Sequence, residues 1–344
     1  MKALVYHDAE DIRYEEVEKP KIGPREALIE VKAAGLCSTD VWKAMYRKAK
    51  PESVLGHEVS GVVAEVGRGV ESLEVGDRVA VYHRAECGLC YYCKHGQEPL
   101  CREYRRQAVF PGAFSEYIRV LPKIVERSVL KLPDEVTYEM ATMIEPTGCS
   151  VRAILRCGVT FGDRVLVIGD GPLSLLNAQV SKAAGASTVI LVGHHDNRLE
   201  LARKVGVDYT FNSRKEEVNL EGEVKGLTDG LGVDLVVVAV ASTEAVEEAL
   251  QLVREGGKVC IFGDFRDVPQ PNLSLDLKLI LRDDVQIVGS WGCSTENYRA
   301  AFEMVRSRLV RVEEMITHKF PMERFGEALK TFFSKKCMKI VLKP

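Results

Sequence analysis

Val167-Ile168-Gly169-Asp170-Gly171-Pro172-Leu173-Ser174-Leu175-Leu176 reads as the end of a strand, a Gly-rich turn and the start of a helix. Gly169 permits a tight turn. Gly171 lets the backbone approach a pyrophosphate seated on the N-terminus of the helix that Pro172 and Leu173 open. Ser174 stands where a third glycine is usual and is still small. Around this turn, β-branched runs alternate with apolar residues at helical spacing. Strands are expected over Arg164 to Ile168, Thr188 to Val192, Asp234 to Ala239, Gly257 to Phe262 and Val285 to Gly289. Helices are expected over Leu173 to Ala184, Arg198 to Val205 and Glu244 to Arg254. The alternation predicts an α/β Rossmann domain with a doubly wound parallel sheet over 151–289, and the turn predicts a nicotinamide dinucleotide.

In such a domain an acid at the end of the second strand takes the adenosine ribose hydroxyls and repels a 2′-phosphate. Here that strand runs into Gly193-His194-His195-Asp196-Asn197-Arg198, so a glycine replaces the acid. The glycine opens room, and His194, His195 and Arg198 supply donors for a phosphate, so NADP is expected over NAD. The alternative is that Asp196 reaches back to the ribose.

Upstream, Ala27 to Ala33, Val59 to Val66 and Arg78 to Tyr82 are β-branched runs bounded by turn residues, which predicts a mostly antiparallel, all-β lobe. A helix is expected near Glu296 to Val305. Lys339 to Lys343 has no partner in the α/β unit and is expected to return to the first lobe, making that domain discontinuous. There is no internal repeat.

Composition narrows the function. Lys plus Arg is 47 against Asp plus Glu 50, a net charge of −3 with no basic stripe, which argues against nucleic acid. Hydrophobic residues are 46% and charged ones 28%, ordinary for a soluble globular protein. The N-terminal run meets an acid before it could form a signal-peptide core, and no apolar run approaches membrane-spanning length. A cytoplasmic protein without membrane contact is expected. Of its 10 cysteines, Cys87, Cys90, Cys93 and Cys101 crowd together at a spacing that can wrap four thiolates around one tetrahedral structural zinc. Two disulfides are the alternative, which a reducing compartment disfavours.

Gly35-Leu36-Cys37-Ser38-Thr39-Asp40 and Gly56-His57-Glu58-Val59-Ser60-Gly61 complete a pattern with these two motifs. Together, across essentially the whole chain, it resembles the zinc-dependent alcohol dehydrogenases of the medium-chain dehydrogenase family. The resemblance implies a GroES-like catalytic domain over 1–150 and 290–344, carrying the zinc lobe 87–101, beside the Rossmann domain. It also implies a second, catalytic zinc on Cys37 and His57. A second cysteine is a common third ligand, but Met143-Ile144-Glu145-Pro146 offers a carboxylate instead, as in the sorbitol and threonine dehydrogenase branch. Glu58 and Glu145 both qualify, as ligand and near neighbour.

Asp40 is expected to orient His57, and Thr39 to take the alcohol proton. Many relatives have a histidine three residues further on that passes the proton to solvent, but here the position is Trp42. The glutamate-type site points to a polyol, sugar or other secondary alcohol. The Arg-Tyr pair of sorbitol dehydrogenases is replaced by Gly292-Cys293, while Val288-Gly289-Ser290-Trp291 is similar to galactitol-phosphate-type enzymes. Arg102, Arg105 and Arg106 are candidates to hold an anionic sugar, or form a solvated face. A simple alcohol dehydrogenase and a non-catalytic dinucleotide sensor are the competing readings. The resemblance implies a homodimer or homotetramer.

Overall fold

The computed structural model describes residues 1–215 and 219–344. The chain forms two compact units: Met1–Gly148, Cys293–Ser307 and Met315–Pro344 make the first, and Cys149–Gly292 with Arg308–Glu314 the second. Residues 308–314 thus lie with the second unit, apart from the rest of the C-terminal segment. The chain leaves the first unit within a helix, Ile144–Cys157.

The first unit holds a seven-stranded sheet ordered Ile316–Pro321, Lys339–Lys343, Ala27–Gly35, Glu58–Val66, Arg78–Tyr82 and Val129–Lys131, with Tyr117–Val120 also paired to Ala27–Gly35. All pairings are antiparallel except Ile316–Pro321 with Lys339–Lys343. The C-terminal strand does return to this sheet, setting Val341 opposite Gly35. A three-stranded sheet adds Asp11–Glu16, Lys2–Asp8 and Ser53–Val54. Leu4, Val31, Val59, Val81, Phe114 and Ile340 are among the buried side chains of the common core. Alternation of apolar and polar residues selects the face each strand buries.

Glu139 ties down the C-terminal strand, accepting from Lys343 Nζ at 2.7 Å and Lys319 Nζ at 3.1 Å. Burial works against its charge, yet the two ammonium groups hold its carboxyl down to about 2. Such a depressed acid stabilises the fold above its unfolded pKa of about 4.5 and loses that contribution as the pH falls toward 2. Because both lysines reach solvent, we expect Glu139→Gln to cost only about 1 kcal/mol at pH 7. In urea unfolding, the gap between variant and wild type should shrink below pH 4.5; a gap that persists at pH 2 would contradict the assignment.

The second unit holds a six-stranded sheet ordered Tyr209–Asn212, Thr188–Gly193, Arg164–Ile168, Val233–Val238, Val253–Ile261 and Gln286–Gly289. All five pairings are parallel. The central strands are near-continuous apolar runs because helices cover both faces of such a sheet. Leu166, Ile190, Val236, Val259 and Leu250 lie in its core. Ser242 caps the helix Thr243–Leu252 by accepting from Ala245 N, which ends the preceding strand's run and starts the crossover. Among the described residues no helix is long and apolar enough to cross a membrane.

Candidate metal and dinucleotide sites

Two donor clusters occupy the first unit. In the first, Cys37 caps the helix Ser38–Met45, and His57 follows Gly56 at the start of the strand Glu58–Val66. Gly56 has φ +93°, and a Cβ there would meet the Phe114 ring at 2.6 Å, so the bend that presents His57 requires glycine. Glu145 lies in the first turn of the helix Ile144–Cys157. The donor atoms of Cys37, Asp40 and His57 lie within 4.8 Å of one another, as do those of His57, Glu58 and Glu145. The two groups share His57.

Asp40 Oδ1 contacts His57 Nδ1 at 3.2 Å and accepts the Gly56 N–H at 3.2 Å. The bond fixes the ring and leaves Nε2 for a ligand. Burial disfavours the imidazolium, but the Asp40 charge outweighs it and sets the pKa of His57 well above its ordinary value. Burial raises the Glu145 carboxyl to about 7, with Glu58 pushing the same way against His57 and Lys339. A soft thiolate, an imidazole and carboxylates around one small volume are a donor set that fits zinc. Thr39 stands in the first turn of the helix after Cys37, half-buried.

Two residues beside this cluster carried no sequence signal. The His83 ring lies edge-on to His57 with centroids 5.1 Å apart, and its Nε2 accepts from Arg84 Nε at 3.0 Å. It arrives there only because Glu58 pairs with Tyr82 across the sheet. Lys339 pairs with Glu58 although both are almost wholly buried, 4% and 1% exposed.

The second cluster is Cys87, Cys90, Cys93 and Cys101, whose sulfurs also lie within 4.8 Å of one another. Cys87, Cys90, Cys93 and Cys101 form no disulfide. Gly88 and Gly96, at φ +73° and +67°, turn the chain between the ligands. The Leu89 and Cys90 N–H groups point at Cys87 Sγ, at 3.4 and 3.3 Å, and pull that thiol down to about 6. Burial and the adjacent thiol of Cys90 push Cys93 up to about 12. Four sulfurs this close ionise together only around a cation, so the lobe too fits zinc. Arg102, Arg105 and Arg106 are exposed or nearly so on the short helix that follows, and Arg105 Nε is bound to the Pro99 carbonyl.

In the second unit, Gly171 caps the helix Pro172–Ala183, and a Cβ there would meet nothing within 4 Å. Leu173 follows in the first turn. The open approach and the helix N-terminus fit a pyrophosphate. Ser174 is accommodated because Gly169, at φ +123°, has no side chain; a Cβ there would lie 2.8 Å from Ser174 Oγ. The room expected at Gly193 is not empty. The Asp170 carboxylate fills it, and a Cβ on residue 193 would lie 2.5 Å from Asp170 Cβ. His194 is exposed, while His195 and Arg198 are half-buried beside that carboxylate. Asp196 pairs with Asn212 and Lys215.

Comparison with known proteins agrees with this architecture. An alcohol dehydrogenase GroES-like domain matches residues 23–134, and a zinc-binding dehydrogenase domain matches residues 172–307. The chain is 33% identical to sorbitol dehydrogenase of Bacillus subtilis, with 100% of this chain and 97% of that one covered. It is 37% identical to L-threonine 3-dehydrogenase of Pyrococcus abyssi, over 95% and 93% of the two chains. Among solved structures, a candidate zinc-binding dehydrogenase of Sinorhizobium meliloti 1021 bound to NADP superposes with a TM-score of 0.89 at 25% identity, covering 100% and 99%.

Proposed function

The chain belongs to the zinc-dependent alcohol dehydrogenases of the medium-chain dehydrogenase family, and from that membership we propose that it interconverts a secondary alcohol of a polyol, sugar, sugar acid or sugar phosphate with its ketone. Zinc-dependent, nicotinamide-linked oxidoreduction of an alcohol is the family's chemistry. The observation that carries the reading is the cluster centred on His57, a thiol, an imidazole and carboxylates within one small volume. Catalysis is assigned to the domain 1–150 and 290–344, and dinucleotide binding to 151–289.

When bound, zinc would supply a Lewis acid for the alcohol or carbonyl oxygen and the dinucleotide a hydride acceptor or donor. Cys37 and His57 hold that ion, with Glu58 and Glu145 as third ligand and near neighbour. Asp40 keeps the imidazole in register. Cys87, Cys90, Cys93 and Cys101 hold a second, closed zinc, which makes two per chain. Thr39 Oγ1 takes the alcohol proton, and Trp42, which cannot titrate, ends the relay on that side. Gly169, Gly171, Pro172 and Leu173 seat the pyrophosphate. Gly193, His194, His195 and Arg198 favour NADP, the cofactor bound by the Sinorhizobium protein. The active form is a homodimer or homotetramer, to be tested by light scattering.

Thr39→Ala should lower kcat by about 100-fold while zinc content by elemental analysis is unchanged. Near wild-type turnover would remove Thr39 from the proton path. The reading as a whole is tested with zinc-loaded protein, NADP or NAD, and a panel of polyols, aldonates, sugar phosphates and simple alcohols, followed by absorbance of reduced nicotinamide. Turnover on one polyol or sugar class supports it. No turnover on any of them, with zinc and dinucleotide bound, would leave a non-catalytic sensor.

A further inference from the structure

The acid missing from the end of the strand Thr188–Gly193 is replaced by one in the Gly-rich turn. Asp170, 7% exposed, folds its carboxylate over Gly193. Its Oδ2 accepts the backbone N–H of His194 at 2.7 Å and of His195 at 2.9 Å, and contacts His195 Nδ1 at 2.9 Å. Its Oδ1 lies 3.4 Å from Arg198 Nη1. Glycine at 193 is therefore a steric requirement of Asp170, and residues 170 and 193 act as a pair. Burial opposes the charge on Asp170, but these donors keep its carboxyl below the ordinary range.

The arrangement constrains every donor in reach. A carboxylate only accepts, so His195 Nδ1 carries the proton and Nε2 is the ring nitrogen directed away from Asp170. Arg198 Nη1 is directed at Asp170 Oδ1. Oδ2 already takes three N–H groups, and Oδ1 is turned toward Arg198. The negative charge of Asp170 is matched locally by Arg198, so it offers a dianion little net repulsion. We infer that Asp170 is the positioning residue of a 2′-phosphate receptor, fixing His195 and Arg198 so that the cofactor's adenosine phosphate is selected over a bare ribose. This inference rests on the NADP reading above and adds the residue on which that preference depends.

The test uses 2′,5′-ADP and 5′-AMP, which differ only in the 2′-phosphate, titrated calorimetrically into full-length protein without alcohol substrate. Wild type should bind 2′,5′-ADP more tightly. Asp170→Asn should weaken 2′,5′-ADP by about tenfold or more and change 5′-AMP by no more than about twofold. Gly193→Ala, which displaces the carboxylate without removing it, should do the same. In turnover the Asp170→Asn variant should show a raised KM for NADP, with kcat and the KM for NAD little changed. A wild type that does not prefer 2′,5′-ADP overturns the NADP reading and the inference with it. A wild type that prefers it and an Asp170→Asn variant that keeps the preference, or strengthens it, overturns the inference alone. Equal weakening of both ligands reduces Asp170 to a support of the turn and overturns it too.

Discussion

Cys37→Ser should reduce the zinc content from two ions per chain to one and lower kcat/KM by about 1000-fold or more, while 2′,5′-ADP binding is unchanged. A serine hydroxyl is a hard, neutral donor at neutral pH, whereas the thiolate both neutralises the ion and matches its softness. Cys37 is well placed to show the difference without unfolding the chain. It is half-buried at the helix N-cap, where its side chain makes no capping bond and serine is a favoured residue. His57 would still be oriented by Asp40, with Glu58 and Glu145 nearby, so a weakly bound ion in the variant would report what those three hold alone. The zinc proposed for the lobe takes no ligand from Cys37, so one ion per chain should remain after gel filtration. Full zinc content and full activity together would exclude Cys37 from the site.

Patterns confined to a few adjacent residues were the legible part of this molecule. The interior parallel strands announce themselves by unbroken apolar runs, and Arg164–Ile168 and Lys339–Lys343 are found with the bounds expected. Edge strands do not. Tyr209–Asn212 is four residues long and exposed or half-buried throughout, with no apolar run to mark it. Ile316–Pro321 likewise alternates between half-buried and exposed. The helix expected to run to Arg254 stops at Leu252, because Val253 already belongs to the strand Val253–Ile261.

The sites follow the same rule. Cys87 to Cys101 and the turn 169–171 are local and could be read. The nearness of His83 to His57 depends on strand register, and the occupant of the space at Gly193 depends on a side chain 23 positions away in sequence. A glycine in place of an acid suggested an opening; the structure shows a side chain exchanged between two loops.

The pairing of Lys339 with Glu58 leads to the largest expected change in stability. Gly35 sits opposite Glu58 in one strand pair and opposite Val341 in the next, and a Cβ on Gly35 would lie 1.9 Å from Glu58 Oε2. The slot made by that glycine takes the carboxylate, and the C-terminal strand delivers Lys339 to it. Burial alone would strip the ammonium of its proton, but the Glu58 charge holds it on and places its pKa above the ordinary value. Removing one partner of such a pair leaves an uncompensated buried charge, which costs about 3–5 kcal/mol. Lys339→Met should therefore lower the unfolding free energy of metal-free protein by about that amount, measured in urea. The double variant Glu58→Gln with Lys339→Met should recover most of the loss, since neither charge is then buried alone. Zinc should relieve part of the penalty in Lys339→Met by bringing positive charge to His57 and Glu145, so the loss should be smaller in zinc-loaded protein. A loss below about 1 kcal/mol in the metal-free single variant would mean that the pair is no stronger than a surface ion pair. Equal losses with and without zinc would place Glu58 outside the reach of the metal and leave Glu145 as the third ligand.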